Sequence, residues 1–189
     1  WPEEGGFNIR INMWGRRWRR RFGGLVLLVI LLAVLAYLRP AEQLVAADGE
    51  RVHVMDGDTL RIGARIVRLA DMDAVELHQS CRTSDGARWL CGQEARSALE
   101  ALVARGGLRC ESRTSDRFGR AIATCSVDGV SDVSADLVAQ GWAVSGDVRR
   151  AGIHAARERE AREAGRGIWR GTFDRPDEWR AAHPREDRP

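Results

Sequence analysis

Val54-Met55-Asp56-Gly57-Asp58-Thr59-Leu60-Arg61-Ile62-Gly63-Ala64-Arg65-Ile66-Val67-Arg68-Leu69-Ala70-Asp71-Met72-Asp73-Ala74-Val75-Glu76 decides how this chain folds. Residues 51–55 read as a short strand, and Asp56-Gly57 as a turn. Residues 59–62 and 65–69 read as a hairpin about Gly63-Ala64. A hairpin centred there sets Thr59 opposite Arg68, which brings Asp58 beside that arginine. Asp73 and Glu76 follow where the third strand ends, a usual place for site residues on a rigid base.

Residues 93–105 predict a helix with the apolar stripe Ala95, Leu99, Leu102 and Val103, stopped by Gly106-Gly107. A second hairpin is expected from residues 108–113 and 121–127 about the turn Asp116-Arg117-Phe118-Gly119. Ser131 or Asp132 can cap a short helix running to Gln140, with Gly141 beyond it. Residues 149–164 read as a highly charged helix whose Arg/Glu alternation marks a solvated face. Short strands, a helix, a hairpin and further helices predict an α+β fold, a small barrel with helices packed on it.

The formal net charge is +3 over 189 residues, and all 30 basic residues are arginine. Six arginines and two of the 27 acids precede residue 39, so the remainder is one charge negative. Bulk basicity therefore gives no support for polyanion binding, and any such attraction must come from a local patch. The six arginines form a basic leader over residues 1–21, and an apolar run follows over residues 22–38. That run predicts a transmembrane anchor or a signal segment, with Val45-Ala46-Ala47 as a candidate cleavage site. The arginines put the N-terminus in the cytoplasm and the rest across the membrane. The expected location is an inner-membrane-anchored extracytoplasmic domain, or a secreted one if the leader is cut. A linker is expected at 39–50, the folded domain at 51–175 and a loose polar tail at 176–189.

The four cysteines, at 81, 91, 110 and 125, fit an exported protein and show no zinc-site spacing. Three pairings are open to them. The second hairpin sets Cys110 opposite Cys125, at the roughly 4.5–5.5 Å Cα separation of facing residues, within disulfide reach. Cys81 and Cys91 are left to close the insert between them. His53, His78, His154 and His183 fit no metal or triad spacing, and Trp89, Trp142, Trp169 and Trp179 read as packing groups.

Asp-Gly-Asp-Thr, Arg-Leu-x-x-x-Asp-x-x-Glu, Asp-x-x-Gly-Arg, Leu137-Val138-Ala139-Gln140-Gly141-Trp142-Ala143 and Gly165-Arg166-Gly167-Ile168-Trp169 occur in this order. At these motifs the chain resembles the staphylococcal-nuclease-like (thermonuclease) family, from about residue 51 to residue 169. The resemblance implies a five-stranded OB-type barrel with three helices and a calcium-dependent nuclease acting on DNA and RNA. It implies that Asp58 and Asp73 bind Ca2+ with the carbonyl of Ala74, and that Arg68 and Arg120 grip the phosphate. Glu76 matches the carboxylate that positions the attacking water, and Asp56 and Thr59 are supporting positions. Arg117 and Phe118 supply one cation and one ring at the site edge. The substrate is expected to be single-stranded or flexible nucleic acid, and the protein a monomer.

The inventory makes chemical sense. Calcium prefers oxygen ligands, and an open site leaves room for a phosphate oxygen. Arginine offers a planar fork of donors that lysine lacks. Each residue alone has an ordinary structural explanation, such as Asp58 in a turn or Arg68 in an ion pair with Asp73. Two positions depart from the family pattern. Val75 stands where proline usually precedes the glutamate, and Val144-Ser145-Gly146-Asp147-Val148-Arg149 lacks the usual aromatics. A catalytically weak or inactive, membrane-tethered OB-type module that binds nucleic acid or an envelope partner is the alternative reading. An ion-binding structural domain is a third.

Overall fold

The computed structural model describes residues 14–37, 42–45, 51–146 and 152–184, which fall into two units, 1–40 and 41–189. The first unit contains the helix α1 (Trp14–Tyr37). Its large apolar side chains from Leu25 to Leu35 are all exposed, between 45% and 68%. Among the described residues no helix is long and apolar enough to cross a membrane. Residues 1–13 of the expected leader, Ala46-Ala47 of the candidate cleavage site, Asp147-Val148-Arg149 and the last five residues lie outside the described ones.

In the second unit the strands are β1 (Glu42–Val45), β2 (Val52–Val54), β3 (Thr59–Ile62), β4 (Arg65–Leu69), β5 (Met72–Ala74), β6 (Cys81–Thr83) and β7 (Arg88–Trp89). Helix α2 (Cys91–Val103) separates them from the hairpin β8 (Arg109–Ser115) and β9 (Ala121–Ser126). Then come α3 (Val133–Ala139), β10 (Ala143–Ser145), α4 (Ala155–Glu163), β11 (Gly171–Thr172) and α5 (Pro176–Ala182).

Both hairpins take the expected register. Thr59 faces Arg68, and Cys110 faces Cys125. Disulfides join Cys110 to Cys125 and Cys81 to Cys91. A bulge between Ser112 and Thr114 then shifts the β8–β9 register by one residue. Alternation buries Leu60, Ile62, Val67 and Leu69 on one face, and Leu99, Leu102, Leu137 and Val138 from α2 and α3 pack against them. Asp132 caps α3 by accepting from Ala135 N at 3.0 Å. A second, smaller core gathers Val75, the Cys81–Cys91 bridge, Ala95, Val144 and Ile168, with Trp89, Trp142 and Trp169 against it. Trp89 meets Trp142 edge to face at 6.4 Å.

The α+β class holds, with differences from expectation. The main sheet has six strands in the order β1-β8-β9-β4-β3-β2, with β4 and β9 parallel. Among the described residues it keeps two edges and does not close into a five-stranded barrel. After β4 the chain turns at Asp71, whose φ is 59°. Aspartate tolerates this left-handed conformation better than most residues. β5 leaves the sheet and pairs with β10, while β6 pairs with β7 and β11. Beside the N-terminal helix, the described residues of the second unit hold four α-helices where about three were expected. The expected linker contains β1, which pairs with β8 through backbone bonds that residue type does not announce.

The charged helix α4 starts at Ala155; the expected start at residue 149 lies outside the described residues. The expected loose tail is corrected most plainly: residues 176–182 form α5. Pro176 occupies its first turn, Asp177 and Glu178 favour the positive end of the helix dipole, and Glu178 reaches back to Arg175 N.

Candidate active site

The turn before β3 aims Asp58 inward. Asp56 Oδ1 accepts from Asp58 N at 3.0 Å, and Leu69 N donates to Asp58 O at 2.8 Å. Gly57 is needed here for closeness: a Cβ on it would stand 2.8 Å from Ala74 Cβ. Asp58 is 4% exposed. Its Oδ1 accepts from Thr59 Oγ1 at 2.8 Å and from Arg68 Nη1 at 2.6 Å. Its Oδ2 faces Ala74 N at 3.3 Å. Burial pushes the Asp58 carboxyl up to about 7, only partly offset by Arg68 and reinforced by Asp56 and Asp73.

Arg68 bridges two carboxylates, because its Nη2 also donates to Asp73 Oδ1 at 2.7 Å. Burial pulls its pKa down, but Asp58 and Asp73 outweigh that and hold it above the ordinary value. Two of its five N–H groups are committed to these carboxylates. Asp73 has a second cation, Arg180 of α5, which donates Nη2 to Oδ2 at 2.8 Å and Nη1 to Oδ1 at 2.9 Å. The same Nη1 reaches Glu76 Oε1 at 3.0 Å. These bonds, led by those to Asp73, raise the Arg180 pKa. Asp58, Arg68, Asp73 and Glu76 therefore stand together, joined by an arginine that lies beyond the sequence motifs.

Glu76 is held without a preceding proline. Val75 is buried in the second core. Gln79, fully buried, accepts from Glu76 N through Oε1 at 3.1 Å and donates Nε2 to Asp174 O at 2.7 Å. Gln79 N also donates to Glu76 O at 2.8 Å. The start of α2 presses on the same loop, since a Cβ at Gly92 would stand 1.9 Å from Glu76 O. Gln79, Gly92 and Arg180 escape sequence reading because they act across the fold. Only the Arg175-Pro176-Asp177-Glu178 helix start offered a signal, for α5 and not for its target.

Arg120 is placed differently. It precedes β9, with its Nε on Asp116 Oδ2 at 2.7 Å. Asp116 also accepts from Phe118 N and Arg120 N. Burial opposes these donors, yet they lower the Asp116 pKa. No described bond ties Arg120 to the carboxylate group. The Arg117 and Arg120 guanidiniums lie 4.8 and 5.6 Å from the Phe118 ring, which is 68% exposed. Of the histidines, His154 is buried and 3.9 Å from Asp132, while His53, His78 and His183 are exposed.

Among the described residues no group of three or more His, Cys, Asp or Glu is arranged to hold a metal ion. The donors still suit a hard cation in kind. Asp58 and Asp73 converge on one guanidinium, so their oxygens reach a common positive charge. Burial is the main reason the Asp58 pKa is raised, and the cost of burying its charged form is one that a bound cation would offset.

A family model described as staphylococcal nuclease homologue matches residues 66–171, over half of the chain. The chain belongs to this family. A succinoglycan biosynthesis protein, ExoI, from Rhizobium meliloti (strain 1021) is 39% identical over 141 residues, 73% of this chain and 74% of the relative. The Escherichia coli protein ParB is 31% identical over 166 residues, 80% of this chain and 87% of the relative. The staphylococcal nuclease domain is of OB type and α+β, and its family is one of nucleases. The matched stretch holds Arg68, Asp73, Glu76 and Arg120, starts after Asp58 and ends before Arg180.

Proposed function

We propose that the chain is a calcium-dependent phosphodiesterase that hydrolyses single-stranded or flexible DNA or RNA outside the cytoplasm. The observation that carries this reading is Arg68 bridging Asp58 and Asp73, with Glu76 joined to the same cluster. Asp58, Asp73 and the Ala74 carbonyl would hold the ion. When bound, calcium polarises a phosphate oxygen as a Lewis acid. Arg68 keeps three N–H groups beyond its two carboxylate bonds, and these serve the phosphate. Arg120 spends Nε on Asp116 and offers its two terminal nitrogens.

Glu76 positions a water and takes its proton as the oxygen attacks phosphorus; the bond to the leaving oxygen breaks and that oxygen is protonated from solvent. Asp56 and Thr59 hold Asp58 in place. Phe118, flanked by Arg117, offers a base-stacking face worth about 1–3 kcal/mol. Val144 and Ser145 pair with β5 beside Asp73, so the usual aromatic contacts have no counterpart there. Residues 22–38 serve as an anchor or signal, and the protein works as a monomer.

A non-cleaving tethered module has one observation in its favour: Arg68 and Arg180 already neutralise the carboxylates. The full chain, incubated with single-stranded DNA and with RNA in Ca2+ and then in EDTA, separates the two. Cleavage that EDTA abolishes supports the enzyme. Binding without cleavage in either condition overturns it in favour of the module.

A further inference from the structure

Arg180 belongs to a helix that lies beyond the family match, yet its guanidinium engages both Asp73 oxygens and Glu76 Oε1. We propose that α5 is a latch in which Arg180 acts as a tethered cation, so that its docking and divalent-cation binding at Asp73 exclude each other. The proposal rests on the reading of these residues as site carboxylates.

Oxygen occupancy carries the argument. Asp73 Oδ1 accepts from Arg68 and from Arg180, which exhausts its two lone pairs. Asp73 Oδ2 points at Arg180 Nη2. One Oδ2 lone pair remains, but a cation there would sit against the Arg180 charge bonded to the same oxygen at 2.8 Å, so a cation that takes Asp73 as a ligand drives a donor off it. Arg68 is the more enclosed, with its side chain 20% exposed and a second carboxylate holding it at Asp58. Arg180 is 41% exposed and rides on a seven-residue helix, so it is the one that leaves.

The arm is aimed by contacts at its root. Gln79 bonds both Glu76 N and Asp174 O, so one buried side chain ties the Glu76 loop to the segment entering α5. Pro176 is buried, and Arg175 lies 3.7 Å from Glu158. The root is held by these contacts, so Arg180 at the far end can leave the carboxylates without the root letting go. Release of Arg180 frees Asp73 and Glu76 together, so the ion-binding group and the water-positioning group become available in one step.

The test uses the full chain in mild detergent, which covers the exposed face of α1. Calcium binding is measured by calorimetry for the wild type and Arg180→Ala, and hydrogen exchange of residues 176–182 is followed with and without Ca2+. The latch predicts that Arg180→Ala binds Ca2+ about tenfold tighter, within the usual range of coupled equilibria. It also predicts that Ca2+ speeds exchange across α5 in the wild type. Equal or weaker binding by Arg180→Ala, or α5 exchange unchanged at saturating Ca2+, overturns the latch. Absence of Ca2+ binding by both proteins overturns it too. EDTA-sensitive cleavage with equal affinities would remove the latch and leave the phosphodiesterase standing. Loss of cleavage with a tenfold affinity difference would do the reverse.

Discussion

Asp58 carries a proton at a pH where most carboxyls have lost theirs, because burial raises its pKa from 3.8 to about 7. Between these values the folded protein binds a proton that the unfolded chain releases. Stability without divalent ions should therefore fall as pH rises from about 4 to about 7. Thermal melts across this range should show that slope for the wild type and a flatter one for Asp58→Asn. Divalent cations, which bind the ionised form, should stabilise the wild type more at pH 8 than at pH 6.

Arg120 gives a second check. Its side chain is partly exposed, so Arg120→Ala should leave the melt nearly unchanged while turnover falls about 10²–10³-fold, the usual loss for one preorganised donor. At this scale the sequence was informative where local register decides contacts: the Thr59–Arg68 pairing alone put Asp58 beside Arg68. It was silent on Arg180, whose bond to Asp73 spans 107 residues and leaves no local pattern.

The hairpin of β8 and β9 was legible from its turn and its two cysteines, because pairing in a hairpin follows from the position of the turn. The disulfide there closes a separation of 15 residues, so Cys110→Ser with Cys125→Ser should cost about 3 kcal/mol of stability by the loop-entropy argument. Denaturant unfolding of the oxidised wild type and the double mutant measures this. The small sheets of β5, β6, β7, β10 and β11 were not legible; two- and three-residue strands carry no periodicity. The α2 start shows why such pieces matter. Gly92→Ala would drive a methyl into the Glu76 backbone, so it should lower the melting temperature and reduce cleavage further than the residual folded fraction explains. Comparing the melt with the rate at a temperature where the mutant stays folded separates the two effects.

For the whole chain, the near-neutral balance beyond residue 38 gives no bulk field, so under the proposed function nucleic-acid affinity would rest on Arg68, Arg117 and Arg120. The exposed apolar face of α1 should make the full chain sediment with lipid vesicles, whereas residues 41–189 should stay in the supernatant. Equal partitioning would remove the anchor. The α+β class and the pairing that sets Asp58 beside Arg68 were legible in the sequence. The open sheet and α5 were not, since both depend on how separate segments meet. The most direct measurement is the single-turnover cleavage rate of an end-labelled single-stranded oligonucleotide in saturating Ca2+, for the wild type and Glu76→Gln. The account predicts a measurable wild-type rate and a fall of at least about 10²-fold in the mutant. Equal rates, or no cleavage by the wild type, would contradict it.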